Sequence, residues 1–364
     1  MTTSDKQLLK PPADGFVSQY DETYFDAILV LSFGGPEGME DVIPFLENVT
    51  KGRNIPRERL AEVGEHYKLF DGVSPLNDQN RALIAALRAE LDAHDIDLPI
   101  YFGNRNWHPL LTDTMAQMTA DGVKRVLAFF TSAYSCYSGC RQYRENVYVA
   151  QESAGPDAPE VLKLRMFYNH PGFVEPNTQF VKDALATLPA ERRDAAHVVF
   201  TAHSIPTAMA KQSRYEAQLM ETMRLIVEGA GVNNHRLVYQ SRSGPPHIPW
   251  LEPDVCDYIE ELHQQGVQDV IISPIGFISD HMEVMYDLDM EAKDTAESLG
   301  MNLIRVPSVG THPQFISMIR ELIQERLHGT EKRSLGSHGP SHDVCPVNCC
   351  LQGNGRSSPW HDQS

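Results

Sequence analysis

The sequence predicts an α/β protein built from two doubly wound, parallel sheets. Short apolar runs that read as strands alternate with helical stretches, and the alternation starts again after about residue 160. No stretch approaches the roughly 20 consecutive apolar residues that a membrane-spanning helix needs. At 364 residues, 41% hydrophobic and 22% charged, the chain has the size and composition of two globular domains.

Residues 1–21 are expected to form a flexible arm. AILVLSF (Ala27 to Phe33) is a continuous apolar run closed by Gly34-Gly35-Pro36, as expected of a strand covered on both faces. Helical patterning at 38–50 and 77–94 is followed by strands at Ile100 to Phe102 and Val126 to Phe130. The second series predicts strands at 163–168, 197–202, 237–241, 269–277 and 302–309. Its helices are expected at 173–187, 207–229, 253–265, 283–299 and 313–328. Strands joined through helices of ten or more residues require right-handed crossovers, so the sheets should be parallel and the functional cleft should lie at the carboxyl ends of their strands. The domains are then 22–162 and 163–328, with an extension at 329–364. In the extension Gly, Ser, His and Pro replace the apolar periodicity, and without something to organise it the segment should be disordered.

A net charge of −18 argues against nucleic acid and against anionic membranes, both of which need a basic surface. The start, MTTSDKQLLKPPADGF, has no apolar signal core and no small-residue cleavage site, so a cytoplasmic location is expected. FGGPEG lacks the G-x-G-x-x-G spacing of a dinucleotide site, and there is no Walker A sequence. The six cysteines are too few for a disulfide framework, but their distribution is uneven: Cys136 and Cys140 lie mid-chain, Cys256 stands alone, and Cys345, Cys349 and Cys350 crowd near the end.

Two segments carry the chemistry. In TAHSIP, His203 follows a buried strand, which puts an imidazole suited to proton transfer at the sheet's functional edge. In SDHMEVMYDLDMEA, Glu283, Asp287 and Glu291 recur every fourth residue and line one helix face. Like charges so placed repel by some tenths of a kcal/mol per pair, which a purely structural helix has no reason to accept. A row of carboxylates can relay a hydrated divalent cation or released protons; a solvated acidic face is the plainer alternative.

TAHSIP followed by FISDHMEVMYDLDMEA closely resembles the two signature segments of ferrochelatases. The resemblance extends to LSFGGPEGMEDVIPFL (31–46), DGVSPLN (71–77), YFGNRNWHP (101–109) and QSRSGPPHIPWLEPDV (240–255), and covers roughly residues 25–328. It implies two Rossmann-like domains with four-stranded parallel sheets, and an enzyme that inserts Fe²⁺ into a porphyrin. His203 and Glu283 stand where the family's catalytic pair faces across the porphyrin cleft, a neutral imidazole on one face of the macrocycle and a carboxylate on the other. Ser74 and Tyr143 fall where the family contacts a propionate, and Lys51 and Arg53 are candidates for further propionates. Phe33 replaces the tyrosine of certain firmicute members, so tyrosinate ligation of iron at that position is excluded.

Actinobacterial and animal ferrochelatases are also known to carry a [2Fe-2S] cluster on three terminal cysteines and one from the body. The resemblance thus implies a cluster on Cys345, Cys349, Cys350 and Cys140, with Cys136 the animal-like alternative for the fourth ligand. Spacing alone does not separate that cluster from a Cys₄ zinc site. The actinobacterial pattern implies coproporphyrin III as substrate; protoporphyrin IX is the alternative, and a cobalt or nickel chelatase or a porphyrin carrier are the rival functions. Expected partners are the porphyrin and ferrous iron, with transient contact to neighbouring haem-pathway enzymes, no nucleic acid and no stable membrane insertion.

Overall fold

The structure is a computed structural model, and it describes residues 20–52, 56–346 and 348–353. Eight strands form two four-stranded, wholly parallel sheets. The first holds β1 (Ala27–Ser32), β2 (Ile100–Asn104), β3 (Arg125–Phe130) and β4 (Glu160–Lys163) in the order β2-β1-β3-β4. The second repeats the pattern with β5 (His197–His203), β6 (Asn234–Gln240), β7 (Asp269–Ser273) and β8 (Asn302–Arg305) in the order β6-β5-β7-β8. Each sheet therefore reverses its winding beside its first strand, between β1 and β3 and between β5 and β7, where an open α/β sheet leaves a crevice.

Strand alternation sorts the core. On β1, Ile28 and Val30 enter a large apolar cluster shared by both halves, while Ala27, Leu29 and Leu31 enter a separate one on the outer face of the first sheet. The second sheet does the same: Val198, Phe200 and Ile271 join the shared cluster, and Val199, Val270 and Ile272 an outer one. The helix Pro313–His328 strengthens the join by packing on both Leu76–Asp92 and Pro171–Thr187.

Several elements differ from expectation. The strand expected at 163–168 is Glu160–Lys163; the Leu164 amide still donates to Ala128 O at 2.8 Å, and Leu164, Met166, Phe167 and Tyr168 enter the shared core. The helix expected over 207–229 breaks into Thr207–Ala210 and Tyr215–Ala230, where the Ser213 hydroxyl donates to the carbonyl of Ala210 and accepts from the amide of Tyr215. β7 stops before Pro274, which has no N–H to continue the ladder. Helices at Arg57–Lys68, Leu111–Ala120 and Gln142–Ala154 were not among those expected. Among the described residues no helix is long and apolar enough to cross a membrane. The arm expected at 1–21 falls outside the described residues except for Tyr20 and Asp21.

From Gly329 onward the described residues form no helix or strand, yet they are tied to the body. The Leu335 amide donates to the Asn169 carbonyl at 2.8 Å, and the Asn169 amide donates to Gly339 O at 2.8 Å. Arg165, in a bidentate pair with Glu325, also donates to Arg333 O. Gly353 lies so close to Ala208 that a Cβ there would stand 2.4 Å from its carbonyl oxygen. Backbone bonds to buried polar side chains thus hold a segment whose own apolar content is too small to fold it.

Candidate active site and a cluster of terminal cysteines

His203 is the last residue of β5, and Glu283 is the second residue of the short helix Met282–Val284 after the loop that leaves β7, so both lie at the reversal point of the second sheet. The loop reaches His203 because Gly276 packs on β5: a Cβ there would stand 2.5 Å from Ala202 Cα, and its amide donates to Thr201 O at 2.9 Å. The His203 ring contacts the carbonyl of Ser204 through Nδ1 at 2.5 Å. A carbonyl only accepts, so Nδ1 carries the proton, and in the neutral ring Nε2 presents a lone pair. Nε2 lies 3.7 Å from Glu283 Oε2, with the two side chains 33% and 49% exposed to the cleft. That gap is too long for a hydrogen bond and suits an ion bridged by two ligand bonds of roughly 2 Å each.

The expectation that the pair lies on opposite faces of a macrocycle is thereby corrected. A planar ring between them needs roughly 3.5 Å of van der Waals clearance on each side. At 3.7 Å, His203 and Glu283 address the same side. His281, partly buried and edge-on to Phe277 with ring centroids 4.8 Å apart, has its pKa lowered by desolvation, with the Glu283 charge opposing.

The acidic run after β7 is not a plain α-helix. Met282–Val284 opens as α, Met285–Ala292 widens into a π-helix, and Lys293–Ser298 closes as α. Such widened turns concentrate at functional sites. The five acids of the run divide. Arg305 pairs with Asp280 and, bidentately, with Asp289, and Asp280 also accepts from Ser308. Among the described residues no lysine or arginine forms an ion pair with Glu283, Asp287 or Glu291. Burial, with Glu283 and Glu291 adding repulsion, pushes the Asp287 carboxyl up to about 7, against opposing hydrogen bonds from Ser241 and Gln240. Gln240, 1% exposed, donates through Nε2 to Asp287 Oδ2 at 3.2 Å and to the Glu283 carbonyl at 3.3 Å. Gln240 and Ser241 carried no role in the sequence reading, although they end β6 at the same sheet edge as His203.

The first half supplies the opposite wall. Tyr67, whose pKa is raised by burial, feels the Glu283 charge, and His66 stacks on Tyr286 with ring centroids 4.3 Å apart. Gln79 clasps the Asp280 backbone through both its amide atoms. Ser74 is buried against Gly35. Tyr143 is also buried, its ring between Phe130 and the Arg105 guanidinium and its hydroxyl bonded to Thr131 and Arg105. Arg105, 5.5 Å from the Phe33 ring as well, was missed from the sequence, although it directly follows the buried end of β2. Lys51 is exposed beyond the helix Met39–Val49, and Arg53 lies outside the described residues.

A second group forms at the terminal segment. Cys140, in a short π-helix (Tyr137–Arg141), adjoins the free thiols of Cys345 and Cys350; Cys349 Sγ lies 3.4 Å from Cys350 Sγ and also adjoins Cys345. Shared hydrogen bonds favour Cys345 as the thiolate, with Cys140 donating, and so push its pKa down while Cys140 is pushed up to about 12. Burial opposes the ammonium of Lys163, but the adjoining Cys345 and Cys140 outweigh it and raise its pKa. Arg141 donates to Cys349 O at 2.9 Å. Cys136 is turned elsewhere: its sulfur accepts from the Gly139 amide and meets Ser138. Cys256 stands apart beside Thr295. The imidazole of His342, unassigned from the sequence, joins Cys345 and Cys349 with all three ligand atoms within 4.8 Å of one another.

Comparison with known proteins agrees with this geometry. The profile of the ferrochelatase family matches residues 25–327. The chain is 54% identical over 354 residues to a coproporphyrin III ferrochelatase of Streptomyces coelicolor, covering 91% of this chain and 94% of that one. It is 56% identical over 329 residues to a ferrochelatase of Rhodopirellula baltica, covering 90% and 93%. The solved structure of SirB from Bacillus subtilis with Fe³⁺ shares the fold, at TM-score 0.54 and 12% identity over 83% of this chain and 97% of that one. By this match across both sheets and the site between them, the chain belongs to the ferrochelatase family.

Proposed function

We propose that this protein inserts ferrous iron into coproporphyrin III, releasing two pyrrole protons and giving Fe-coproporphyrin III. The observation that carries the chemistry is the 3.7 Å approach of His203 Nε2 to Glu283 Oε2, with Asp287 and Glu291 continuing the carboxylates away from it. Metallation must strip water from Fe²⁺ and remove two N–H protons. His203 Nε2 supplies the acceptor, Glu283 supplies an anionic ligand, and Asp287 and Glu291 bring metal in or carry protons out. Ser74 and Tyr143, with Lys51 and Arg53, receive propionates, and Arg105 adds a guanidinium beside Tyr143. Coproporphyrin III is favoured by the names of the actinobacterial relatives. Anaerobic metal-insertion kinetics with coproporphyrin III and protoporphyrin IX side by side test the assignment; a clear preference for protoporphyrin IX refutes it.

The residues 22–162 and 163–328 are read as two domains closing on the porphyrin, and 329–364 as a cluster-bearing extension. Four cysteine sulfurs that meet in a buried position fit a [2Fe-2S] cluster, and Lys163 beside them offsets the charge of an anionic group. Cys140, Cys345, Cys349 and Cys350 would hold it, and when bound it supplies one-electron redox chemistry and a cross-link between extension and body. Iron and acid-labile sulfide in equal amounts are the expected contents, whereas zinc without sulfide refutes the cluster. The proposed location is the cytoplasm, with porphyrin, ferrous iron and transient neighbouring haem-pathway enzymes as partners.

A further inference from the structure

We infer that His342 caps the cysteine group from the solvent side, donating a hydrogen bond to the sulfurs of Cys345 and Cys349, and so raises the reduction potential and slows the loss of a cluster held there. The inference rests on the [2Fe-2S] reading above and adds a positioning residue to it.

The five donors are not equivalent. Cys140, Cys345 and Cys350 are buried, Cys349 is partly exposed and His342 is exposed. One imidazole nitrogen lies within 4.8 Å of the sulfurs of both Cys345 and Cys349, so the exposed ring covers the side on which those sulfurs are nearest water. On the inner side the same thiolates face Lys163, buried at the end of β4. His342 is also fixed in place: its neighbour Asp343 pairs with Lys332, and Arg141 holds the backbone at Cys349. Four thiols already complete the ligand set of a [2Fe-2S] cluster, which leaves the imidazole as a donor to the sulfurs. Hydrogen bonds to ligand sulfur and exclusion of water are the two means by which a protein moves such a potential. An N–H aimed at sulfur stabilises the added electron of the reduced state, so its removal makes reduction harder.

The test compares full-length wild type with His342→Ala and His342→Asn, purified anaerobically. Iron and sulfide analysis, the electron paramagnetic resonance spectrum after dithionite reduction, the midpoint potential and the rate of bleaching by a chelator are read on each. His342→Ala should keep iron, sulfide and a wild-type type of spectrum, while its midpoint moves negative and bleaching accelerates several-fold. His342→Asn, which retains an N–H donor, should recover part of both shifts. A midpoint and bleaching rate equal to wild type in His342→Ala overturn the inference and leave the cluster standing. Loss of the cluster in His342→Ala together with its retention in Cys140→Ser makes His342 a ligand, which overturns the donor role. Wild-type protein lacking iron and sulfide removes the cluster reading itself and the inference with it.

Discussion

His203 Nε2 and Glu283 Oε2 stand 3.7 Å apart although about eighty positions separate them in the chain. β5 delivers the imidazole, the segment after β7 delivers the carboxylate, and the two strands pair in parallel from His197 against Val270 to Phe200 against Ser273. The hydrogen bond from Nδ1 to Ser204 O turns the other nitrogen toward the carboxylate, so the pair is set before substrate arrives.

His203→Ala and Glu283→Gln should each lower turnover by on the order of a hundredfold or more, the usual scale for a positioned proton-transfer group. Porphyrin binding, followed by fluorescence quenching, should survive in both. Because the two act on one reacting centre, the double variant should be little worse than the worse single one. Additive losses would mean that they serve separate steps.

Asp287 titrates at about 7, so it is largely protonated below that pH and becomes a metal-attracting carboxylate above it. The kcat/KM for Fe²⁺ should therefore rise from about pH 6 to about pH 8 at saturating porphyrin. Asp287→Asn should flatten this rise and raise the KM for iron by roughly tenfold, leaving the porphyrin KM unchanged. The sign for stability runs opposite. A carboxyl whose pKa is raised by folding from 3.8 to about 7 contributes stability that is fully present below the lower value and is lost as pH rises to the higher one, so the wild type should lose stability relative to Asp287→Asn between those two values and level off above them.

Gln240 and Ser241 hydrogen-bond the ionised Asp287 and hold its pKa below what burial alone would impose. Gln240→Leu and Ser241→Ala should each move the midpoint of the iron pH profile above 7, and together further than either. A Gln240→Leu enzyme with reduced kcat and an unmoved pH midpoint would limit Gln240 to a packing role.

Much of this arrangement was legible in the sequence. Parallel sheets followed from apolar runs such as Ala27 to Phe33, because strands covered on both faces need no polar alternation. His203, Glu283 and Asp287 were legible because their residue types follow the carboxyl ends of such strands, whereas Cys140 was legible only through the family resemblance of the SGC element. Less was available for Arg105, Gln240 and His342, whose roles depend on neighbours far away in the chain: Arg105 on Tyr143, Gln240 on Asp287, and His342 on sulfurs fixed by the body. Nor does a run of eight residues distinguish α from π hydrogen bonding, since every fourth residue stays near one face in either.

Cys136 and Cys140 are four positions apart and both buried, yet only Cys140 reaches the terminal sulfurs. Cys136 ends the extended segment before the π-helix and caps it, accepting from the Gly139 amide at 3.1 Å. Cys140→Ser should therefore bleach the protein, whereas Cys136→Ser should keep its colour and its iron, with at most a modest loss of stability from the weakened cap. The same pair tests the anchoring of the extension. Its described part has no helix or strand and is held by bonds such as those from Asn169 and Arg141, so a cluster bridging Cys140 to Cys345, Cys349 and Cys350 would be its strongest tie. Limited proteolysis should then cut after about residue 329 much faster in Cys140→Ser than in Cys136→Ser. Equal cleavage in the two would mean that the polar contacts alone hold the extension, and bleaching only in Cys136→Ser would return the fourth ligand to the animal-like position.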